Sequence, residues 1–329
     1  MCNEFTFELS AGTDYEVDQS FFCTNILFCI RIFKERFFAG GYGLLRRFKR
    51  LILSYLGFNL VLILASTVIH HWQISEILFS IKGVLYSRWC FFSDYRDRNN
   101  IFFFTASNSP LWFLTGLFTT EIFASFLFSR IKNIKWQAIT LFMLCVLGYL
   151  CTYIPILLPW SLDTAAVGVA FMLAGYYSRI YAGYISGKVL LICGVFYSIL
   201  VYINPSANMS VRYYGPWTYG GISCYFFVIA GISGSILVKW ISERIVMKDA
   251  LGWLKWILVK MGKDSIYLLV FHWFIFCFCD IIVEKLGIRI GWDMGYAFLK
   301  MFVAVICCTL MANIIYRTKC FIINTDKNK

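Results

Sequence analysis

Long apolar runs separated by short charged segments are the main pattern of this chain. Eight runs are long enough, or nearly so, to cross a membrane: 51–69, 111–128, 138–158, 163–178, 189–203, 218–238, 265–283 and 296–316. Because the hydrocarbon core holds no bulk water, the backbone N–H and C=O groups of each run must bond within the run. The pattern therefore predicts an all-α fold, a polytopic transmembrane helical bundle with about eight spans.

The region before the first run has a different character. Residues 1–20 contain five acidic residues and no basic one, which is the wrong charge for a signal peptide. Residues 21–33 are apolar but short and contain Arg31, so they fit an interfacial helix or a damaged span. We therefore divide the chain into an irregular or degenerate N-terminal segment, 1–45, and a multi-span membrane domain, 46–329. The longest loop, about 70–110, mixes aromatic and charged residues, which is typical of an interfacial or re-entrant segment.

The composition supports a membrane protein and excludes other classes. Of the 329 residues, 60% are hydrophobic and only 15% are charged, whereas a soluble domain has about 45–50% apolar and about 25% charged residues. A water-soluble enzyme and a nucleic-acid-binding domain are thus excluded, and membrane lipid is the expected partner. Most of the 13 cysteines lie in apolar runs and act as small hydrophobic residues. The Cys277–Cys279 and Cys307–Cys308 spacings do not match a zinc site, so we expect no metal.

The net charge of +12 is distributed unevenly between alternate loops. Nineteen basic residues fall in the segment before the first run, after every second run, and in the C-terminal tail, against seven in the opposite loops. Basic residues collect on the cytoplasmic side of membrane proteins. The sequence therefore predicts a multi-pass protein of the cell inner (plasma) membrane with a cytoplasmic C-terminus.

Three ionisable residues inside the apolar runs are candidate functional groups, since charge is costly in a membrane. Glu121 lies about 15 Å into the second span, and His272 lies about 10 Å from the cytoplasmic end of the seventh. Their depths differ by about 5 Å in a core of about 30 Å, so they are expected to share one polar cavity. His272 is then a proton acceptor or donor, or a packing histidine. Glu121 orients that base or bonds within the bundle, and Lys300, near the external end of the last run, is expected to extend its ammonium to the interface.

Four segments, in order along the chain, carry a family resemblance. They are Phe48–Leu56, with its basic start; Leu111–Glu121, with Trp112; Pro159–Ala165, followed by Gly175 and Tyr176; and Gly262–His272. Together they resemble the integral-membrane acyltransferase 3 family of sugar and cell-surface-glycan O-acetyltransferases, especially its fucose 4-O-acetylase-like branch. The resemblance covers about residues 44–316.

The resemblance implies transfer of an acetyl group from acetyl-CoA to a sugar hydroxyl of a cell-surface polysaccharide or its precursor. Acetyl-CoA is then the acyl donor, a saccharide is the acceptor, and there is no bound cofactor. The expected catalytic residues are His272 and Glu121, and the substrate-binding residues are Trp112, Asp163 and Arg179. The cytoplasmic basic residues Arg46, Arg47, Lys49 and Arg50 suit the donor phosphates.

Two other interpretations stay open. Family members begin with a span that carries a histidine, and residues 1–43 contain none, so the chain is alternatively an N-terminally truncated, inactive member. A small-solute or glycan transporter is the third possibility, although such proteins often show internal repeats and matched helix breaks. Neither feature is evident in this sequence.

Overall fold

The computed structural model describes residues 40–88, 111–154, 156–180, 186–203, 222–247, 252–286 and 294–327. This part of the chain forms ten α-helices and two short 3₁₀ turns, Cys151–Tyr153 and Pro159–Ser161, with no β-strand. The helices are α1 Gly40–His70, α2 Ile74–Tyr86, α3 Trp112–Arg130, α4 Ile134–Leu150, α5 Leu162–Ile180, α6 Gly187–Ile203, α7 Ile222–Met247, α8 Gly252–Lys263, α9 Ser265–Lys285 and α10 Met294–Lys327. Residues 1–39, which include the predicted interfacial segment 21–33, lie outside the described residues.

The all-helical class and the membrane character are confirmed for the described residues. Four helical stretches are long and apolar enough to cross a membrane: Arg47–Val68, Trp112–Arg130, Tyr225–Ile245 and Gly295–Tyr316. A fifth is present if the two parts of α9, Ser265–His272 and Phe274–Lys285, count as one span with a 49° bend. The predicted number of eight is not confirmed. The apolar helices α4 and α6 have 17 residues each, about 26 Å, which is less than a hydrocarbon core of about 30 Å.

Three local features differ from the sequence prediction. The helix expected over 138–158 ends at Leu150 and is followed by the two 3₁₀ turns, because prolines at 155 and 159 have no N–H to continue a helix. Helix α2 occupies part of the predicted loop 70–110, and its first turn is closed by Glu76, whose Oε2 accepts from the Gln73 N–H at 2.8 Å. Helix α8 lies in a segment expected to be a basic loop.

The chain divides into two compact units, Met1–Ile241 and Ser242–Lys329. In the first unit, α5 packs against α3 and α4, and α1 packs against α3. Two glycines allow this close approach: a Cβ on Gly168 would lie 2.7 Å from Thr120 Oγ1, and a Cβ on Gly148 would lie 2.6 Å from Val167 Cγ2. Small residues at such contacts are typical of membrane helix packing.

The second unit contains the antiparallel pair α9 and α10. Tyr267 meets Tyr316 edge to face at one end of the pair, with ring centroids 5.9 Å apart. Towards the other end, Lys300 Nζ lies 2.9 Å from Asp280 Oδ1. These two contacts fix the register of the two helices.

Candidate functional site

Glu121 lies at the centre of a buried cluster on α3. Its side chain is fully buried, which confirms the prediction that it faces the bundle interior. Arg47 Nε lies 3.5 Å from Glu121 Oε2, and Arg50 Nη2 lies 3.8 Å from Oε1. Arg47 also donates from Nη1 to Ser125 Oγ at 3.2 Å. We call these four residues the Glu121 cluster.

The Glu121 cluster brings together residues for which the sequence predicts two different roles. Glu121 was expected to act in catalysis and the arginines to bind the donor, yet they form one ionic group. Arg47 is 5% exposed and directs its guanidinium at Glu121 and Ser125, whereas the Arg50 side chain is 53% exposed. Arg47 therefore holds the carboxylate, and Arg50 adds a positive charge at the accessible edge of the cluster. Lys49 is exposed, and the Arg46 side chain lies outside what the structure describes.

A second buried cluster joins two of the predicted substrate-binding residues through Arg88. Arg88 Nη2 forms an ion pair with Asp163 Oδ1, and both side chains are buried. The Arg88 guanidinium carbon lies 5.4 Å from the centroid of the Trp112 ring, a cation–π distance. Arg88 Nε donates to the Leu158 carbonyl at 3.2 Å. We call Arg88, Trp112 and Asp163 the Arg88 cluster.

Three residues with left-handed backbone surround the Arg88 cluster. Ser87, Trp160 and Ser161 have φ values of 60°, 54° and 58°, a conformation that costs about 1–2 kcal/mol for each non-glycine residue. Trp160 Nε1 donates to the Leu85 carbonyl at 2.9 Å, and the Trp160 carbonyl accepts from Thr119 Oγ1 at 2.9 Å. Such strain is maintained only where the surroundings fix it, and it concentrates at functional sites.

Helix α3 connects the two clusters. Trp112 and Glu121 are nine residues apart, about 13.5 Å along the helix axis. Between them lie the buried threonines 115, 119 and 120. Ser87 Oγ lies 2.5 Å from Thr115 Oγ1, whose own proton goes to the Trp112 carbonyl at 2.7 Å. The side of α3 between the clusters is therefore polar, although the helix is apolar overall.

His272 lies on α9 in the second unit, and its ring has a defined hydrogen bond. Nδ1 lies 2.7 Å from the Leu268 carbonyl oxygen. A carbonyl can only accept, so Nδ1 donates, and Nε2 of the neutral ring is left as the acceptor. The 49° bend of α9 follows directly after His272, between the stretches Ser265–His272 and Phe274–Lys285.

Lys300 differs from the sequence prediction. The expectation was a side chain that extends towards the interface, but Lys300 is buried and lies within 2.9 Å of Asp280 Oδ1. Tyr296 Oη donates to the same oxygen at 2.7 Å, and the Lys300 ammonium lies 4.8 Å from the Tyr296 ring centroid. A direct carboxylate partner makes extension to the interface unnecessary.

The structure brings some predicted residues together and leaves others separate. Trp112 and Asp163 meet through Arg88, and Glu121 meets Arg47 and Arg50. Glu121 and His272 belong to different compact units, so their shared cavity stays a prediction. The Arg179 side chain lies outside the described residues, and its role in binding substrate also stays a prediction.

Sequence reasoning missed Arg88 and Asp280. In the sequence Arg88 contributes only a charge to a predicted external loop, and Asp280 lies inside the apolar run 265–283. The rule that selected Glu121, an ionisable residue within an apolar run, would have found Asp280. No simple signal marked Arg88, because its importance depends on an ion pair with a residue 75 positions away.

Within the described ranges, no three histidine, cysteine, aspartate or glutamate residues come together as metal ligands would. No protein-family model, curated protein or solved structure matches the chain. The acyltransferase resemblance therefore stays a prediction.

Proposed function

We propose that the chain is a membrane-bound O-acyltransferase that moves an acetyl group from acetyl-CoA to a sugar hydroxyl of a cell-surface polysaccharide or its precursor. It would lie in the cell inner (plasma) membrane with about eight spans and a cytoplasmic C-terminus. One observation carries the proposal: two buried arginine–carboxylate pairs lie along α3, Arg47 with Glu121 at its middle and Arg88 with Asp163 beside Trp112 at its start. Buried ion pairs contribute little net stability. Two of them in an apolar bundle therefore favour a functional role.

The Glu121 cluster supports a donor site at the N-terminal end of α1, where the apolar stretch of that helix begins. This end carries the basic run of residues 46–50, which the charge pattern puts on the cytoplasmic side. Arg50 and Lys49 are exposed there and suit the phosphates of a CoA donor. Arg47 is a positioning residue, because its guanidinium already contacts Glu121 and Ser125.

The Arg88 cluster supports an acceptor site at the start of α3. Trp112 is only partly buried and offers an aromatic face for the C–H surface of a sugar. Asp163 is buried and paired with Arg88, so it holds the Arg88 guanidinium against the Trp112 ring. An aromatic surface beside a few fixed polar groups is the usual composition of a small-molecule site.

His272 is the proposed general base. Its Nε2 takes the proton of the sugar hydroxyl, and the hydroxyl oxygen attacks the carbonyl carbon of the thioester. The C–S bond breaks, the CoA thiolate leaves, and the proton ends on the thiol. The products are an O-acetyl sugar and free CoA, so atoms and charge balance without another reactant.

The test is acetyl transfer by membranes that contain the full chain. Labelled acetyl-CoA should give label in the carbohydrate fraction that mild alkali releases, as expected for an ester. His272→Ala should abolish this label, and Glu121→Gln should reduce it. His71→Asn is the matched control: His71 is exposed at the end of α1 with φ 51°, which asparagine tolerates, and transfer should be unchanged. Full transfer by His272→Ala would refute the proposed base, and the absence of label with the parent chain would refute the function.

A further inference from the structure

Helix α8 is held at one end of the two apolar helices of the second unit. It has 12 residues, about 18 Å, which is too short to cross a core of about 30 Å. Only Asp264 separates it from α9. Lys260 Nζ donates to Asn313 Oδ1 of α10 at 2.8 Å and lies 2.9 Å from Asp264 Oδ2. Because the apolar stretch of α10 ends at Tyr316, these bonds place α8 level with the end of that stretch.

The outward face of α8 combines one cation with large apolar side chains. Lys255, Trp256 and Val259 lie on neighbouring positions of this face, and all three are exposed. Trp256 is 67% exposed and Val259 is 47% exposed. Lys255 makes no ion pair or hydrogen bond to the described part of the chain. Tryptophan prefers the headgroup level of a bilayer, and lysine beside it reaches the phosphates.

Charge complementarity identifies the ligand. Between Lys239 and Lys263 the sequence has six basic and two acidic residues, so this segment is strongly positive. Clusters of basic residues next to a membrane span attract anionic lipid. We infer that the exposed face of α8 is a binding site for anionic phospholipid headgroups. Lys255 contacts the phosphate groups, and Trp256 lies at the boundary with the acyl chains. This inference does not depend on the proposed enzymatic function.

The experiment uses the full-length chain in vesicles of phosphatidylcholine in which phosphatidylglycerol replaces about a quarter of the lipid. The photoreactive residue benzoylphenylalanine replaces Trp256, and the adduct formed on illumination is identified by mass. We expect lipid adducts in which phosphatidylglycerol exceeds its share of the bilayer. Lys255→Gln in the same chain should lower the ratio of phosphatidylglycerol adducts to phosphatidylcholine adducts about fivefold, the effect of one surface lysine near anionic lipid.

Lys188→Gln is the matched control. Lys188 is exposed at the start of α6, and its loss should leave the enrichment at position 256 unchanged. Lipid adducts in vesicles of phosphatidylcholine alone verify that the Lys255→Gln chain still places α8 at the membrane. Adducts with a polypeptide in place of lipid would overturn the inference, because the face would then be a protein contact. An enrichment that Lys255→Gln does not change, or the lack of any preference for phosphatidylglycerol, would overturn it equally.

Discussion

Arg88 shows how one residue can organise a site. It pairs with Asp163, lies over Trp112 and donates to the Leu158 carbonyl, so it joins the end of α2 to the starts of α3 and α5. Its guanidinium is suited to this arrangement because it is planar, always charged and able to stack on an aromatic ring. The three left-handed residues beside it need such a rigid support.

We predict that Arg88→Ala lowers the free energy of unfolding by about 3–5 kcal/mol, because it leaves Asp163 as a buried carboxylate without its cation. Arg88→Lys should lose less, since it keeps the charge but not the planar contact with Trp112. The measurement is thermal unfolding of the purified chain in detergent. Lys82→Ala, which removes an exposed cation from α2, the helix just before Arg88, should change little. Equal stability of Arg88→Ala and Lys82→Ala would contradict the role of the cluster.

At the scale of single residues, the sequence predicts that Glu121 is buried but does not predict which residues it meets, and it predicts neither the burial of Lys300 nor that of Arg88. Glu121 was predicted to face the interior because a charge is costly in lipid, and the same cost makes it meet Arg47 and Arg50. The identity of those partners depends on the register of α1 against α3. Nothing local in the sequence sets that register.

At the scale of helices, close packing of α5 against α3 depends on the absence of a side chain at Gly168. A Cβ there would lie 2.7 Å from Thr120 Oγ1 and 2.9 Å from Thr120 Cγ2. Thr120 cannot turn aside freely, because its hydroxyl donates to the Gly116 carbonyl at 2.7 Å. Gly168 was not singled out in the sequence, since a glycine in an apolar run has many possible roles.

We predict that Gly168→Ala destabilises the protein by about 1–3 kcal/mol through overpacking. Gly194→Ala is the control, because nothing lies within 4 Å of a Cβ at Gly194 in α6. That change should be neutral or stabilising by up to about 1 kcal/mol, the gain in helix propensity. Thermal unfolding of the two variants under one condition decides the comparison. A Gly168→Ala chain as stable as Gly194→Ala would mean that α3 and α5 do not approach so closely.

The sequence predicts some helix boundaries and misses others. Charges and prolines in the sequence locate the starts and ends of most apolar runs, and each predicted run contains a helix in the structure. The amphipathic helices α2 and α8 were missed because their apolar residues alternate with charged ones in segments expected to be loops. Short helices of this kind depend on the surfaces that they meet, so their own sequences are weak signals.

At the scale of the whole molecule, the alternation of basic loops predicts which loops lie on the cytoplasmic side of the membrane. Cysteines introduced as Lys135→Cys and Thr325→Cys should react with a membrane-impermeant thiol reagent only after the cell membrane has been made permeable to it. Lys82→Cys, on the opposite side by the same rule and exposed on α2, should react in intact cells. The parent chain gives the background of its own cysteines. Labelling of position 135 or 325 in intact cells would contradict the predicted topology.

The most direct test of the central claim is the side from which acetyl-CoA is used. Sealed membrane vesicles of the two orientations, each containing the full chain, are given labelled acetyl-CoA from outside. If the Glu121 cluster belongs to a cytoplasmic donor site, inside-out vesicles should incorporate alkali-labile label into carbohydrate. Right-side-out vesicles should do so only after they are opened. Equal incorporation by both sealed preparations, or incorporation by neither, would contradict the account.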